Sequence, residues 1–327
     1  MRMTIASPCS PVRLWGAVLL ILPLLALAGC STPKSAPSQF AAFSKATSSL
    51  AQISQKTYVI AVTVNSKQTI YSLSKNPAGF DPSTYAINTD NVASFGKRML
   101  LLQALQLYAQ SLSDIFSSDD LSALKTNVKN LCTTLDSLKA NETLKPYFSD
   151  LSLSFSDFGN YLGIGLSRLF ESRRNAVVMK ALEETTPTIN GIVAALQFEF
   201  GMCATASGKG SSGIGSLISS YYDRYLIDAS KSPIAGGQAG GGSADSAKSA
   251  KSNTIESLIQ MIQTRDTLCN ILILTQEALA EYGRLHAMLS QAFKPDHEAL
   301  SDALVDLQLK LQNIDAVFSA VSQKEKN

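Results

Sequence analysis

Residues 298–321 read EALSDALVDLQLKLQNIDAVFSAV, and the apolar positions Leu300, Leu304, Leu307, Leu311, Ile314, Phe318 and Val321 recur at intervals of four, three, four, three, four and three. That interval puts all seven on one stripe of an α-helix and does not match the two-residue alternation of a half-buried strand. Asp296 supplies an N-cap oxygen, and Glu298 falls in the first turn, where the helix dipole favours an acid. Pro295 separates this helix from residues 254–293, a longer helical segment with Leu268, Leu272, Leu279 and Leu289 on its seam. The chain therefore ends in two helices expected to pack antiparallel.

Working back from that pair, residues 231–253 are low-complexity Gly/Ala/Ser sequence in which only Ile234 is core-forming, and they read as a flexible linker. Residues 214–228 carry Leu217, Ile218, Tyr221, Tyr222, Tyr225 and Leu226 as a further helix, preceded by a Gly/Ser-rich break from Gly201 to Gly213. Ala176, Met179, Leu182, Ile189, Ile192 and Leu196 mark the helix before the break, with Pro187 inside it as an expected kink. The seam Leu151, Phe155, Phe158, Leu162 and Leu169 is interrupted by Gly159, Gly163 and Gly165. Asp157, Asn160, Arg168 and Glu171 make that stretch too polar to span a bilayer, so it reads as a close helix crossing.

Leu101, Leu105, Tyr108, Leu112 and Ile115, then Leu121, Leu124, Val128, Leu131, Leu135 and Leu138, form two amphipathic helices joined at Ser117–Asp120 as a helical hairpin. An irregular surface loop is expected from Pro77 to about Asp90, with Tyr85 and Ile87 as packing plugs. Phe40 to Leu73 has two readings. Phe43, Ala46, Leu50, Ile53, Ile60 and Val64 follow helical spacing, whereas the β-branched run from Tyr58 to Val64 and the break Asn65-Ser66-Lys67 would suit a β-hairpin over 58–73. The helical neighbours favour the helix. The expected fold is all-α: an elongated antiparallel bundle of seven or eight helices over residues 40–324.

At the other end, an uncharged apolar run of about 14 residues, Leu14 to Leu27, follows Arg2 and Arg13. A spanning helix needs about 20 residues, and this run contains Pro23 and ends at Leu27-Ala28-Gly29-Cys30 with no basic stop-transfer cluster. Leu27-Ala28-Gly29-Cys30 resembles the lipobox of bacterial lipoproteins. The resemblance covers only the leader and Cys30. It implies a signal peptide over 1–29, cleavage before Cys30, and lipidation of Cys30 by palmitate-like acyl chains. Several chains at about 0.8 kcal/mol per buried CH₂ give a stable membrane anchor. Ser31 in place of an Asp implies the outer membrane, on its periplasmic or its surface face, and residues 30–39 read as the acylated cysteine and a tether. At about 3.3 Å per residue, the stretch Ser31–Ser38 holds the body within roughly 25 Å of the bilayer.

Losing Arg2 and Arg13 with the leader leaves 26 basic residues against 26 acidic ones. A neutral body lacks the electrostatic footprint of a nucleic-acid partner or of an anionic-headgroup binder. Hydrophobic content of 45% with 17% charged residues belongs to a folded globular chain. Cys9 leaves with the leader and Cys30 is taken by lipid, so Cys132, Cys203 and Cys269 remain for one disulfide in an oxidising compartment, with the pairing open.

Several fragments imitate chemistry. Ser207-Gly208-Lys209-Gly210 lacks the glycine spacing, the Ser/Thr and the preceding strand of a phosphate loop. Asp157-Phe158-Gly159 has none of the companion motifs of a kinase metal site. Glu277, Glu281 and His286 share a helix, but without the Glu-x-x-His spacing of di-iron bundles, and His297 is the one other histidine. His286 continues the Leu268–Leu289 seam and reads as a satisfied core histidine, and His297 as part of a helix start.

No catalytic, cofactor-binding or metal-ligating residue is assigned, and no cofactor or enzymatic role is expected. The expected function is that of a membrane-anchored envelope lipoprotein acting as an interaction or scaffold module on another envelope protein. An alternative is a helical binding module for an apolar small molecule, with Tyr221, Tyr222, Tyr225, Phe155, Phe158, Phe198 and Phe200 available to line a cleft. A third reading is a membrane-perturbing helical protein that unpacks at Gly159–Leu169. A scaffold should expose an apolar patch without a deep cavity, whereas a carrier should enclose about 300 Å³ or more lined by aromatic rings.

Overall fold

Leu300, Leu304, Leu307, Leu311, Ile314 and Phe318 are all buried, while Val305 and Leu309 between them are exposed, so the C-terminal stripe forms with helical period. In the computed structural model, residues 36–75, 89–117, 121–139, 171–204, 211–231, 244–293 and 298–324 are described, and every regular element among them is helical. These elements are α1 (Ala36–Lys75), α2 (Thr89–Ser117), α3 (Leu121–Lys139) and α4 (Glu171–Phe200). There follow α5 (Gly213–Lys231), α6 (Ala244–Met288) with a 3-10 extension over Leu289–Phe293, and α7 (Glu298–Lys324). The protein is an all-α helical bundle. The leader, Cys30, most of the expected loop from Pro77, the Gly159–Leu169 stretch, Asp296 and His297 lie outside the described residues.

The helix-or-hairpin question over 58–73 resolves to helix, because α1 runs unbroken from Ala36 to Lys75. Tyr58 and Val64 are buried and Ile60, Ala61 and Tyr71 pack against the core, whereas Val59 and Val62 face outward. A β-branched residue costs a helix at most about 0.7 kcal/mol, less than burying one apolar side chain returns. The helix also starts earlier than expected. Residues 36–39, assigned above to the tether, form its first turn, in which Pro37 is tolerated because the first N–H groups of a helix have no intrahelical partner. Ala36 and Gln39 are buried there.

The linker reading of 231–253 also needs correction. Lys231 closes α5, and α6 begins at Ala244, so residues 244–253 are helical. They lack core-forming residues, but Ala is the strongest helix former, and the segment continues a helix that the downstream seam already holds. Residues 232–243 lie outside the described residues. Pro187 sits on the exposed side of α4, which runs on through it.

Helix directions follow from the contacts. Phe40 stacks on Phe116 at 4.8 Å, while Arg98 lies over the Tyr58 ring at 5.4 Å, so α2 runs antiparallel to α1. Asn127 of α3 donates to Asp114 of α2 at 2.9 Å, which closes the expected α2–α3 hairpin. Phe43 stacks on Tyr282 at 5.0 Å, near the far end of the antiparallel α6. The last helix runs with the first: Gln39 donates to Ser301 at 2.9 Å, and Lys56 pairs with Asp315.

α4 and α5 form one column along α1. Tyr58 donates to Glu199 at a sequence separation of 141, and Tyr71 donates to Asp228 at a separation of 157. The increase of sixteen means that about four turns' worth of chain is looped out between α4 and α5 while both keep the direction of α1. Gly201 and Gly213, with φ of 56° and 53°, sit at the neck of this excursion. Ser212 N donates to the Met202 carbonyl at 3.0 Å and Gly201 N to the Gln197 carbonyl at 3.0 Å. The Gln276 side-chain amide of α6 donates to the carbonyls of Gln197 and Gly201 at 2.6 and 3.2 Å, which ties the end of α4 to α6.

Candidate functional site

α7 lies in the channel between α1 and α6. Gln308 donates to the Ala42 carbonyl at 3.3 Å, and Asp315 meets Lys56. Beside the last described turns of α7, between Phe318, Ser319 and Val321 and the α1 face from Gln52 to Lys67, lies an open trough of about 650 Å³. Its floor is Ile60, Val64, Tyr222, Leu268 and Phe318. Its exposed rim carries Gln52, Gln55, Lys56, Val59, Thr63 and Ser319.

The charge on the trough walls is cationic. Lys56 and Lys67 line it, and among the described residues its lining contains no carboxylate. Lys56 pairs with Asp315 from the end of α7 and lies 6.0 Å from the Phe318 ring centre. Both partners of that pair are about half-exposed, so it positions α7 more than it stabilises it. Burial raises the pKa of the nearby Tyr221 hydroxyl, with the Lys67 ammonium pulling the other way.

Next to the trough, the α4–α5 neck is held by three devices. Cys203 is disulfide-bonded to Cys269 of α6, which answers the pairing question, and Cys132 is a half-buried thiol. Glu199 accepts from Tyr58 and from Arg98 Nε, the latter at 2.9 Å. Burial drives the Tyr58 hydroxyl pKa well above its ordinary value, the Glu199 carboxylate adds to the rise, and Arg98 opposes it. Phe198 and Met202 are exposed at the same level.

The residues weighed from sequence separate clearly. His286 is 1% exposed, with Nε2 2.6 Å from the Tyr108 hydroxyl and Nδ1 3.3 Å from Thr186 Oγ1. Thr186 also donates to the Leu182 carbonyl at 2.7 Å, and both ring nitrogens of His286 have a hydroxyl partner. This is a satisfied core histidine, as its place on the seam implies. Burial lowers its pKa from 6.5 to about 3. Glu281 points away from it and is clamped by Arg284, which lowers the carboxyl pKa, and Glu277 is exposed. Among the described residues, no group of three His, Cys, Asp or Glu side chains comes together.

The aromatic residues do not converge on one cleft. Tyr222 lines the trough, Tyr221 packs edge-on against it at 4.9 Å, Tyr225 meets Tyr71, and Phe200 is buried against Tyr58. Phe198 faces out, and Phe155 and Phe158 lie outside the described residues. Sequence reasoning missed the trough, which forms between helices and not from a motif. The relevant signal was the apolar stretch Tyr58–Val64, part of which lines it opposite Phe318 and Val321.

No helix among the described residues is long and apolar enough to cross a membrane. Comparison with protein-family models, with curated proteins and with solved structures gave no match.

Proposed function

We propose that this chain is a cell-envelope lipoprotein, acylated at Cys30 and anchored in the outer membrane, whose helical body serves as a non-enzymatic interaction module for another envelope protein. The observation that carries the reading is the open trough between α1 and the last described turns of α7, with its apolar floor of Ile60, Val64, Tyr222, Leu268 and Phe318. Two further features agree with it. The Leu27-Ala28-Gly29-Cys30 motif fits export and lipidation, and the Cys203–Cys269 disulfide fits an oxidising compartment. The small-molecule alternative calls for an enclosed, ring-lined cavity, whereas this trough has exposed walls and only Tyr222 and Phe318 as rings.

Two measurements test the proposal. Mass spectrometry of the cellular product should find an acylated N-terminus at Cys30, and a chain intact from Met1 or free of acyl groups would overturn the anchor. A photo-crosslinking residue at Val59 in the full lipoprotein should capture one stoichiometric envelope partner in cells. The same residue at the exposed Glu183, on the first half of α4, should capture none. Equal capture at both positions, or none at either, would remove the docking role.

A further inference from the structure

We infer that the first half of α6 pairs with the same segment of a second copy of this chain, antiparallel and about a two-fold axis. The surface is a different one from the trough, and the inference stands apart from the docking role proposed there.

α6 begins well before it reaches the core. No residue from Thr254 to Thr267 is buried, whereas Leu268 is. The side of this stretch that faces the body is occupied: Met261 packs against the core, and Arg265 donates to Asp223 of α5 at 2.7 Å. At about 100° per residue, Ile255, Ile259 and Ile262 lie about 120–180° round the helix from Leu268. They are 45%, 49% and 39% exposed. Alanine, lysine or glutamate would carry a helix out from the bundle better than isoleucine does, because they form helix more readily and lose less in water. Three isoleucines in line on the water side are what a helix presents to another helix.

The register names the partner. Lys248, Ser252, Ile255, Ile259, Ile262 and Asp266 follow one another at intervals of four, three, four, three and four, all within α6. That series reads the same in both directions. Turned end for end against itself, it sets Ile255 of each copy against Ile259 of the other, Ser252 against Ile262, and Lys248 against Asp266. Self-complementarity of this kind is what a two-fold interface requires.

Charge selects the direction. A parallel pair in register sets Lys248 against Lys248 and Asp266 against Asp266, whereas the antiparallel pair brings unlike charges together at both ends. Asp266 already accepts from Arg265 at 3.0 Å, and its side chain is 58% exposed. A carboxylate has about four acceptor positions, so a lysine of the other copy adds to that contact without displacing it. Lys248 to Asp266 spans about 27 Å of helix, roughly two and a half heptads. An interface of that size is small, and the pair forms at concentrations on the order of micromolar.

The test uses the mature lipoprotein in a non-ionic detergent matched to the solvent density, at low salt. Sedimentation equilibrium should find monomer and dimer in exchange, and Ile259→Asp should weaken the dimer by at least about tenfold. Asp266→Lys and Lys248→Asp should each weaken it by about tenfold, and the two together should restore it, which a role confined to one chain does not predict. Ile259 is 49% exposed, so Ile259→Asp should leave the melting temperature unchanged, which separates lost pairing from lost folding. Direction is read from disulfides. In a Cys132→Ser background, oxidation of a mixture of Ile255→Cys and Ile259→Cys proteins should give the mixed dimer faster than either protein gives its own.

A monomer at every concentration, a dimer indifferent to Ile259→Asp, or no rescue by the double exchange would overturn the inference. Faster like-with-like disulfides would replace it with a parallel pair. A photo-crosslinking residue at Ile259 that joins residues 76–88, 205–210 or 232–243 of its own chain would replace it with an internal cover. The same residue capturing another envelope protein, and never a second copy, would give the stripe to a different partner.

Discussion

Nε2 of His286 on α6 lies 2.6 Å from the hydroxyl of Tyr108 on α2, and both side chains are buried. The tilted ring of Phe43 from α1, 6.1 Å away, and the Thr185 and Thr186 hydroxyls of α4 complete the surroundings. Four helices are thus joined at a polar point within an apolar core. Such a point is stable while every donor and acceptor is matched and becomes costly when one gains an uncompensated charge.

The pH dependence of stability follows from that point. The folded-state pKa of His286 is pushed down to about 3 by burial, against about 6.5 in the unfolded chain. As pH falls below 6.5 the unfolded state takes up a proton that the folded state refuses. The contribution is therefore present above pH 6.5 and is lost progressively toward pH 3. At about 1.4 kcal/mol per pH unit, the loss from pH 6.5 to 4.5 is roughly 2–3 kcal/mol. Urea unfolding across that range should show this slope in the native protein and a much flatter one in His286→Phe. Equal slopes would place the titrating group elsewhere.

The glycines give opposite predictions at two places. At Gly201 an added Cβ would lie 2.0 Å from the Ser212 carbonyl oxygen, and at Gly213 one would lie 2.1 Å from that of Glu199, both at positive φ. Backbone cannot move aside there as a side-chain tip can, so Gly201→Ala or Gly213→Ala should destabilise by about 2 kcal/mol or more. Inside α6, a Cβ at Gly283 would meet Asn190 at 3.6 Å and Val193 at 3.8 Å, ordinary contact distances. Gly283→Ala should stabilise by about 0.5–1 kcal/mol. Calorimetric melting of the three variants checks both signs.

What the sequence made legible is what periodicity reports. The stripe from Leu300 to Phe318, the hairpin of α2 and α3, the break at Gly201–Gly213 and the core place of His286 could all be read from spacing within one segment. Relations between segments could not. The pairing of Cys203 with Cys269, the meeting of Arg98, Tyr58 and Glu199, and the trough between α1 and α7 depend on which helices lie side by side. Composition misled at 244–253, where alanine-rich sequence without core residues is helical because it extends a helix held further along.

The disulfide bears on stability and on compartment together. Cys203 and Cys269 are 66 residues apart in sequence, and the chain-entropy model assigns about 4 kcal/mol to closing a loop of that length. Cys203→Ser with Cys269→Ser should lower the urea midpoint accordingly, with the neck at Gly201–Gly213 gaining hydrogen exchange first. Protein taken from cells with thiols blocked at lysis should carry the bond. Alkylation of both sulfurs in that material would argue against an oxidising location.

Leu307, Leu309 and Leu311 sharpen the reading of the stretch that decides the fold. In a strand, residues two apart point to the same face, and all three leucines would be equivalent. In the helix, Leu307 and Leu311 are 0% and 1% exposed and Leu309 is 53% exposed. Truncating a buried leucine removes its transfer energy and leaves a cavity, which costs about 2–5 kcal/mol, whereas surface truncation stays within about 0.5 kcal/mol. Leu307→Ala and Leu311→Ala should therefore each cost several times what Leu309→Ala does in chemical unfolding. Because Leu307 and Leu311 share one stripe and one layer of neighbours, the double variant should depart from additivity by about 0.5 kcal/mol or more. Three similar losses would contradict the seating of α7 between α1 and α6, and with it the α7 wall of the trough.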